Sequence, residues 1–310
     1  MIYMTYKIVA IQGDHLKNLN VKTDSTIFLA NEAQKRGFKL FYYNPENLSN
    51  IRGKTISKGY FIKINYSKKK FYKILKKTKL DLSLTNYVLI RQDPPFNLEY
   101  ISTTLLLDRI KYKTKIINDP TAVRNISEKF YSLNFEKYMA DTIFTKDLLE
   151  IKNFFKKHKK IVIKPIHSFG GNDIYLIAEK FSERKIKKIL KKHGHIMCQK
   201  FLSKIKFGDK RVFIINGRVC GAISRVPKLG SILSNMSKGA IPRLANLTKN
   251  ELKISNIISK KIKRDGIYFA GIDFIDGKLN GDINVTSPTG IKTYFDLSNV
   301  NLAETFWKGL

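Results

Sequence analysis

Short apolar runs of strand length alternate with helix-period stretches through the first third of the chain. Residues 6–12, 39–43, 87–91 and 114–118 read as strands, and residues 99–110 read as a helix. Thr23-Asp24-Ser25-Thr26 caps an earlier helix that runs through Ala33 to Lys35, with Gly37 as its stop. Residues 48–80 predict a strand or two followed by a lysine-rich helix with Lys68-Lys69-Lys70 on a solvated face. Such alternation predicts an open α/β sheet whose ligands bind beyond the carboxyl ends of the strands. Arg91, Asp93 and Asn118 fall in that crevice; the alternative is turn chemistry around Pro94 and Pro120.

From Thr121 the pattern changes. A helix bearing Glu128 and Lys129 is expected, then a second helix near 146–155 with Lys156-Lys157 on a solvated face. The apolar strand IVIKP, 161–165, places Lys164 ahead of Gly170-Gly171. A lysine point charge followed by glycine amides suits a nucleotide phosphate, although a plain hairpin turn has the same pattern. A helix over 182–192 and a strand over 196–202 follow, then a hairpin turned at Asn216-Gly217 that carries Arg211 and Arg225. Those arginines suit neutralisation of phosphate charge, or are a surface pair. Residues 227–247 read as a long polar loop, 249–263 as a helix, and 297 onward as a short terminal helix.

The stretch 269–290 reads as two strands joined at Asp276-Gly277. Residues two apart share a strand face, so Asp282 and Asn284 point together, and Asp273 on the partner strand can join them. Two carboxylates and an amide oxygen suit a hard cation, Mg²⁺ or Mn²⁺; the alternative is a hairpin with solvated acids.

Composition narrows the classes. The 310 residues suffice for two or three domains, and 43% hydrophobic content is that of a folded globular chain. No apolar run reaches membrane-spanning length, and the N-terminus lacks a cleavage site, so no membrane partner and a cytoplasmic location are expected. Cys198 and Cys220 read as buried core thiols in a reducing compartment. The net charge of +33 comes from 47 lysines against only 11 arginines. Scattered lysine without arginine forks argues for compositional drift over specific nucleic-acid recognition, leaving only nonspecific, salt-sensitive binding.

The motifs RQDPPFN (91–97), NDP with SEKF (118–130), IVIKPIHSFGG (161–171), QKFL (199–202), GDKRVF (208–213), SRVP (224–227) and GIDFI with INVTSPTG (271–290) occur together in one order. In this the chain resembles bacterial glutathione synthetases, ATP-grasp carboxylate–amine ligases, over essentially its whole length. The resemblance implies an α/β fold: an N-terminal open α/β substrate domain over 1–120, an ATP-grasp lid over 121–202 and a catalytic sheet over 203–310. It implies that Lys129 and Lys164 contact ATP phosphates and that Gly170-Gly171 belong to the lid loop. Gln199, Lys200, Phe201 and Leu202 would line the adenine pocket, with Asp209 near the ribose. Arg211 and Arg225 would act at the reacting centre with Asn235, and Asp273, Asp282 and Asn284 would hold Mg²⁺. Asp93 and the run Ser287, Pro288, Thr289 and Gly290 would bind the peptide substrate. The implied reaction joins γ-glutamylcysteine to glycine through an acyl phosphate, in a homo-oligomer, by resemblance a tetramer.

This chain departs from the family pattern in three places. Asp282 stands where Glu is usual, after an apparent insertion near Asn280-Gly281, and His167-Ser168 replaces Asp-Gly. Leu233 stands where an Arg is expected, with Lys238 or Arg243 as possible replacements for the charge. Four readings follow: a glutathione synthetase, an ATP-grasp ligase for another acid, an ATP-binding protein without turnover, and a nucleic-acid binder.

Overall fold

A computed structural model describes residues 7–66 and 70–310, and its strands gather into three sheets. The first is built from β1 (Ile8–Gln12), α1 (Ser25–Lys35), β2 (Lys39–Tyr43), β3 (Leu48–Ile51), β4 (Lys54–Ile64), β5 (Tyr72–Asp81), β6 (Tyr87–Ile90), α2 (Leu98–Asp108) and β7 (Lys115–Ile117). Strands β2, β1, β6 and β7 are parallel neighbours, and β4 joins β2 antiparallel, with β3 and β5 paired to β4. Asp24 caps α1 through its side chain, accepting from the Ile27 amide at 2.7 Å.

The lysine-rich helix expected within 48–80 is a strand. Burial along β4 alternates with period two, and β5 lays its lysines along an exposed sheet edge, where charge discourages further pairing. Lys68-Lys69 lie outside the described residues, and Lys70 sits in a bend.

After α3 (Pro120–Asn125), the second sheet comprises β8 (Thr142–Thr145), β9 (Ile161–Pro165), β10 (Tyr175–Ile177) and β11 (Ile196–Lys200), in the antiparallel order β10-β9-β11-β8. It is backed by α4 (Leu148–His158) and α5 (Glu183–His193), which bury Ile151, Phe154, Ile186 and Ile189 and leave their lysines outside. The helix expected to carry Glu128 and Lys129 ends at Asn125; both residues sit in a turn, because the Glu128 side chain and carbonyl are engaged by residues 283–286.

The third sheet is β14-β13-β12-β15-β16, formed by β12 (Asp209–Ile215), β13 (Arg218–Val226), β14 (Ile241–Leu244), β15 (Phe269–Ile275) and β16 (Lys278–Asn284). Helix α6 (Lys249–Arg264) packs on it through Ile254, Ile258 and Ile262, behind a capping box of Thr248 and Glu251. The 227–247 loop therefore contains an edge strand, β14, paired to β13 over 241–244. The chain ends in two helices, α7 (Ile291–Ser298) and α8 (Leu302–Lys308), because the apolar period begins at Ile291 and breaks at Asn299 in the left-handed region. Helix α8 docks on the first sheet's layer: Trp307 Nε1 donates to Leu29 O at 2.9 Å, within a core shared with Ile27, Phe28 and Leu29.

Cys198 is fully buried as expected, whereas Cys220 is only partly buried, since it lies three residues past the Asn216-Gly217 turn, where the sheet meets solvent. Among the described residues no helix is long and apolar enough to cross a membrane.

Candidate active site

Antiparallel register on the third sheet creates the charged core of the site. Arg211 on β12 stands opposite Asp273 on β15, and Asp209 on β12 opposite Arg225 on β13. Arg211 Nη2 donates to Asp273 Oδ2 at 2.8 Å, and its Nε also bonds that carboxylate. Arg225 grips Asp209 with both arms of its fork, Nε at 2.8 Å, and its Nη2 lies 3.0 Å from Asp273 Oδ2. Ser234 adds a hydroxyl donor to Asp209 at 2.6 Å.

All four charged groups are buried, so their mutual pairing governs their ionisation. Burial opposes charge on Asp273, but Arg211 and Arg225 together outweigh it and hold that carboxyl well below its usual range. Burial raises Asp209 against the pull of Arg225. The two aspartates in turn outweigh desolvation on Arg225 and push it up.

Facing this network across a cleft is a second group of cations. Lys164, in β9, donates to Asn280 O at 2.6 Å, Asn280 Oδ1 at 2.7 Å and Gln199 Oε1 at 3.1 Å. Lys129 donates to Ser168 O at 2.6 Å and lies 3.4 Å from Asp282. Desolvation lowers Lys164, and Asp282, 3.9 Å away, opposes the shift. The cleft encloses about 940 Å³ of space, open solvent at its mouth included. Gly170 and Gly171, both with positive φ, cover it, and Gln199, Lys200, Phe201 and Leu202 line it opposite Leu233 and Asn235.

Asp273, Asp282 and Asn284 share the cleft wall, as strand periodicity predicts. Asn284 Nδ2 donates to Gly271 O at 3.2 Å and to Asp273 at 3.4 Å, and Asp282 faces Lys129 and Lys164. Among the described residues no three His, Cys, Asp or Glu side chains converge on a metal-sized point. Oxygen donors of this kind fit a hard cation that takes its remaining ligands from phosphate and water.

Other predicted residues have different places. Asn118 is no crevice residue: its Nδ2 donates to Phe269 O and Val285 O, and its Oδ1 accepts from the amides of Tyr268 and Phe269. It is a buried bracket joining the first sheet to the third. Arg91 is buried, with Nε on Thr26 Oγ1 at 3.1 Å and Nη2 on Pro288 O at 3.0 Å. Ser287 donates to Arg91 O, and the Gly290 amide donates to Ser25 Oγ, so the 287–290 loop is stitched to the N-terminal layer, with Thr289 exposed. Asp93 sits at that loop's edge, exposed. Neither candidate replacement for the charge absent at Leu233 lines the cleft: Lys238 donates to Asn172 Oδ1 at 2.7 Å, and Arg243 is exposed on β14. His167 is exposed beside the lid loop.

Two site residues escaped the sequence reading. The insertion near Asn280-Gly281 is a bulge: residues 280–282 of β16 oppose only Asp273, and Asn280 holds Lys164. An Asn-Gly pair inside a strand run was the available signal. Glu128 accepts from the amides of Val285 and Thr286 and from the Thr286 hydroxyl through one oxygen, anchoring the strand end beside Asn284. No local pattern announces that role.

The chain is similar to known proteins in sequence and in fold. Residues 8–124 match the model of the prokaryotic glutathione synthetase N-terminal domain, and residues 128–299 that of the prokaryotic glutathione synthetase ATP-grasp domain. The chain is 37% identical over 304 residues to a glutathione synthetase of Brucella melitensis, covering 96% of each. It is 33% identical to one of Escherichia coli O127:H6, covering 92% of this chain and 91% of the other. In fold it resembles the D-cycloserine synthetase DcsG, with a TM-score of 0.67, 13% identity and coverage of 97% and 98%. It also resembles D-alanyl-alanine synthetase A of Vibrio cholerae, with a TM-score of 0.62, 14% identity and coverage of 99% and 98%.

Proposed function

The chain belongs to the prokaryotic glutathione synthetase family and is an ATP-grasp ligase of glutathione synthesis; from that premise we propose how its residues divide the work. The observation that carries the assignment is the buried Arg211–Asp273–Arg225–Asp209 network facing Lys129 and Lys164 across one cleft. Lys129 and Lys164 bind the ATP phosphates, and Gly170-Gly171 close over them with backbone amides. Gln199, Lys200, Phe201 and Leu202 hold the adenine, with Asp209, at the start of β12, near the ribose edge of the site.

A carboxylate resists nucleophiles because of its charge, so the γ-phosphoryl group is first transferred to γ-glutamylcysteine. Glycine's amine then attacks the acyl phosphate through a tetrahedral oxyanion. Arg211 neutralises the moving phosphoryl charge, and Arg225, with Asn235 nearby, donates to the oxyanion. The lid loop excludes water that would hydrolyse the acyl phosphate. Asp273, Asp282 and Asn284 would hold Mg²⁺ or Mn²⁺, which supplies charge neutralisation on the phosphates. Asp93 and residues Ser287, Pro288, Thr289 and Gly290 bind the peptide acid.

Residues 1–120, 121–202 and 203–310 serve as substrate domain, lid and catalytic sheet in this reading. The enzyme works in the cytoplasm as a homo-oligomer, a tetramer whose mass light scattering would check. The decisive assay is phosphate release with Mg-ATP, γ-glutamylcysteine and glycine, omitting each in turn. Release that needs all of them and yields glutathione is expected; release independent of glycine or of the peptide would overturn the assignment.

A further inference from the structure

Lys164 is 5% exposed, and an ammonium has three N–H donors and no acceptor. All three have partners within the protein: Asn280 O at 2.6 Å, Asn280 Oδ1 at 2.7 Å and Gln199 Oε1 at 3.1 Å. Asp282 lies further off, at 3.9 Å. A buried charge left without partners is costly, so these bonds satisfy the lysine from within the chain. A phosphate oxygen can therefore reach a hydrogen of Lys164 only by taking the place of one of the three acceptors.

The three acceptors are not equally free to leave. Asn280 O belongs to the backbone of the bulge, where residues 280–282 oppose only Asp273. That backbone is clamped: Gly281 has a φ of +85°, and a Cβ there would collide with Met197 and Met139. Just beyond it, the Ile283 amide donates to Glu128 O at 3.1 Å. Gln199 is buried and pinned at its other atom, since Nε2 donates to Thr142 Oγ1 at 3.0 Å. The Asn280 side chain differs from both. It is half-buried, and among the described residues no hydrogen bond holds its amide nitrogen. Rotation about its Cα–Cβ bond releases Oδ1 and leaves the backbone bond in place.

Asn280 also stands in the right place, lining the same cleft as Lys129, Lys164 and Asp282. Its amide oxygen, 2.7 Å from the ammonium, makes the hydrogen bond that a phosphate oxygen would make there. We infer that the Asn280 side chain occupies the phosphate position on Lys164 and gives it up when ATP binds, so that this inserted residue sets nucleotide affinity. The inference rests on the function proposed above, in which Lys164 contacts the ATP phosphates. ATP gains a charge-assisted hydrogen bond and the protein loses one, so the asparagine offsets part of what Lys164 contributes to binding.

Equilibrium dialysis with Mg-ATP, in the absence of peptide acid and glycine, tests this without turnover. Asn280→Ala keeps the backbone carbonyl and removes only the competing oxygen. It should tighten ATP binding about tenfold, the scale of one hydrogen bond to a charged group. Asn280→Asp puts a carboxylate on the ammonium, holds it harder, and should weaken ATP binding about tenfold or more. In a Lys164→Met background, Asn280→Ala should leave ATP affinity unchanged, since no bond remains to be released. Affinity that falls or stays constant in Asn280→Ala would overturn the exchange and make the asparagine a support for Lys164. An equal gain in the Lys164→Met background, or an Asn280→Asp that binds ATP no worse than the parent, would overturn it too. All three outcomes leave the role of Lys164 intact. Lys164→Met that binds ATP as tightly as the parent would overturn the phosphate contact itself, and the exchange with it.

Discussion

The cost of the site is concentrated in single residues whose charges are neutralised only by one another. Asp273 accepts from both Arg211 and Arg225, so Asp273→Asn leaves two buried guanidiniums short of a counter-charge. Breaking such a pair costs about 3–5 kcal/mol, and urea unfolding at pH 7 should read a loss of that size. The pH dependence follows from the direction of the shift. Asp273 is held below its ordinary value of 3.8, so its contribution is present above that pH and is lost as pH falls through the folded value. The deficit of the variant should therefore be full at neutral pH and shrink below about 3.8; a deficit that stays constant in acid would show that charge is not its cause. Sequence made the identities of these residues legible, because Asp273, Arg211 and Arg225 lie in recognisable motifs. It could not show that Asp273 is bound by arginines, since that depends on the registers of three strands distant in sequence. Asn118 shows the reverse error: a turn-like Asn at a strand end is in fact a buried bracket, and nothing local separates the two.

Elements followed their patterns where one face is buried and failed where charge obscured the period. The hairpins turned at Asn216-Gly217 and Asp276-Gly277 came out as read, since positive φ at both turn positions suits those residues. Strand β5 was misread because a run of lysines satisfies a helix face and an exposed sheet edge equally well. Helix α4 ends at Lys159, a non-glycine residue at φ 59° in the left-handed region. Lys159→Gly should relieve that strain and stabilise the lid sheet by about 0.5–1 kcal/mol, offset little by glycine entropy at a cap. A raised melting temperature would bear this out, and a lowered one would mean the exposed lysine makes a contact that outweighs strain. The bulge at Asn280-Gly281 is the element-scale change with most bearing on chemistry: it lets an inserted residue reach Lys164.

At the scale of the molecule, the last helix is structural cement for the first domain. Trp307 stacks near Phe38 and Tyr87 and donates to Leu29, so the chain's end closes the layer around α1. Trp307→Ala should cost about 3–5 kcal/mol, read by thermal or denaturant unfolding. A loss near zero would mean that α8 docks without contributing to the core. The high lysine content lies mostly on exposed faces and edges, where it influences solubility and salt response more than fold. The amino-acid sequence by itself determined the fold class, most elements and the chemical types at the site, because local periodicity, turn residues and motif order are short-range properties. Only the tertiary structure decided which acids are neutralised, that Glu128 and Asn118 are anchors, and that the Asp93 amide is tied to the Asp14 carboxylate. Those outcomes depend on burial and on contacts between segments about 80 to 170 residues apart, where desolvation makes pairing decisive.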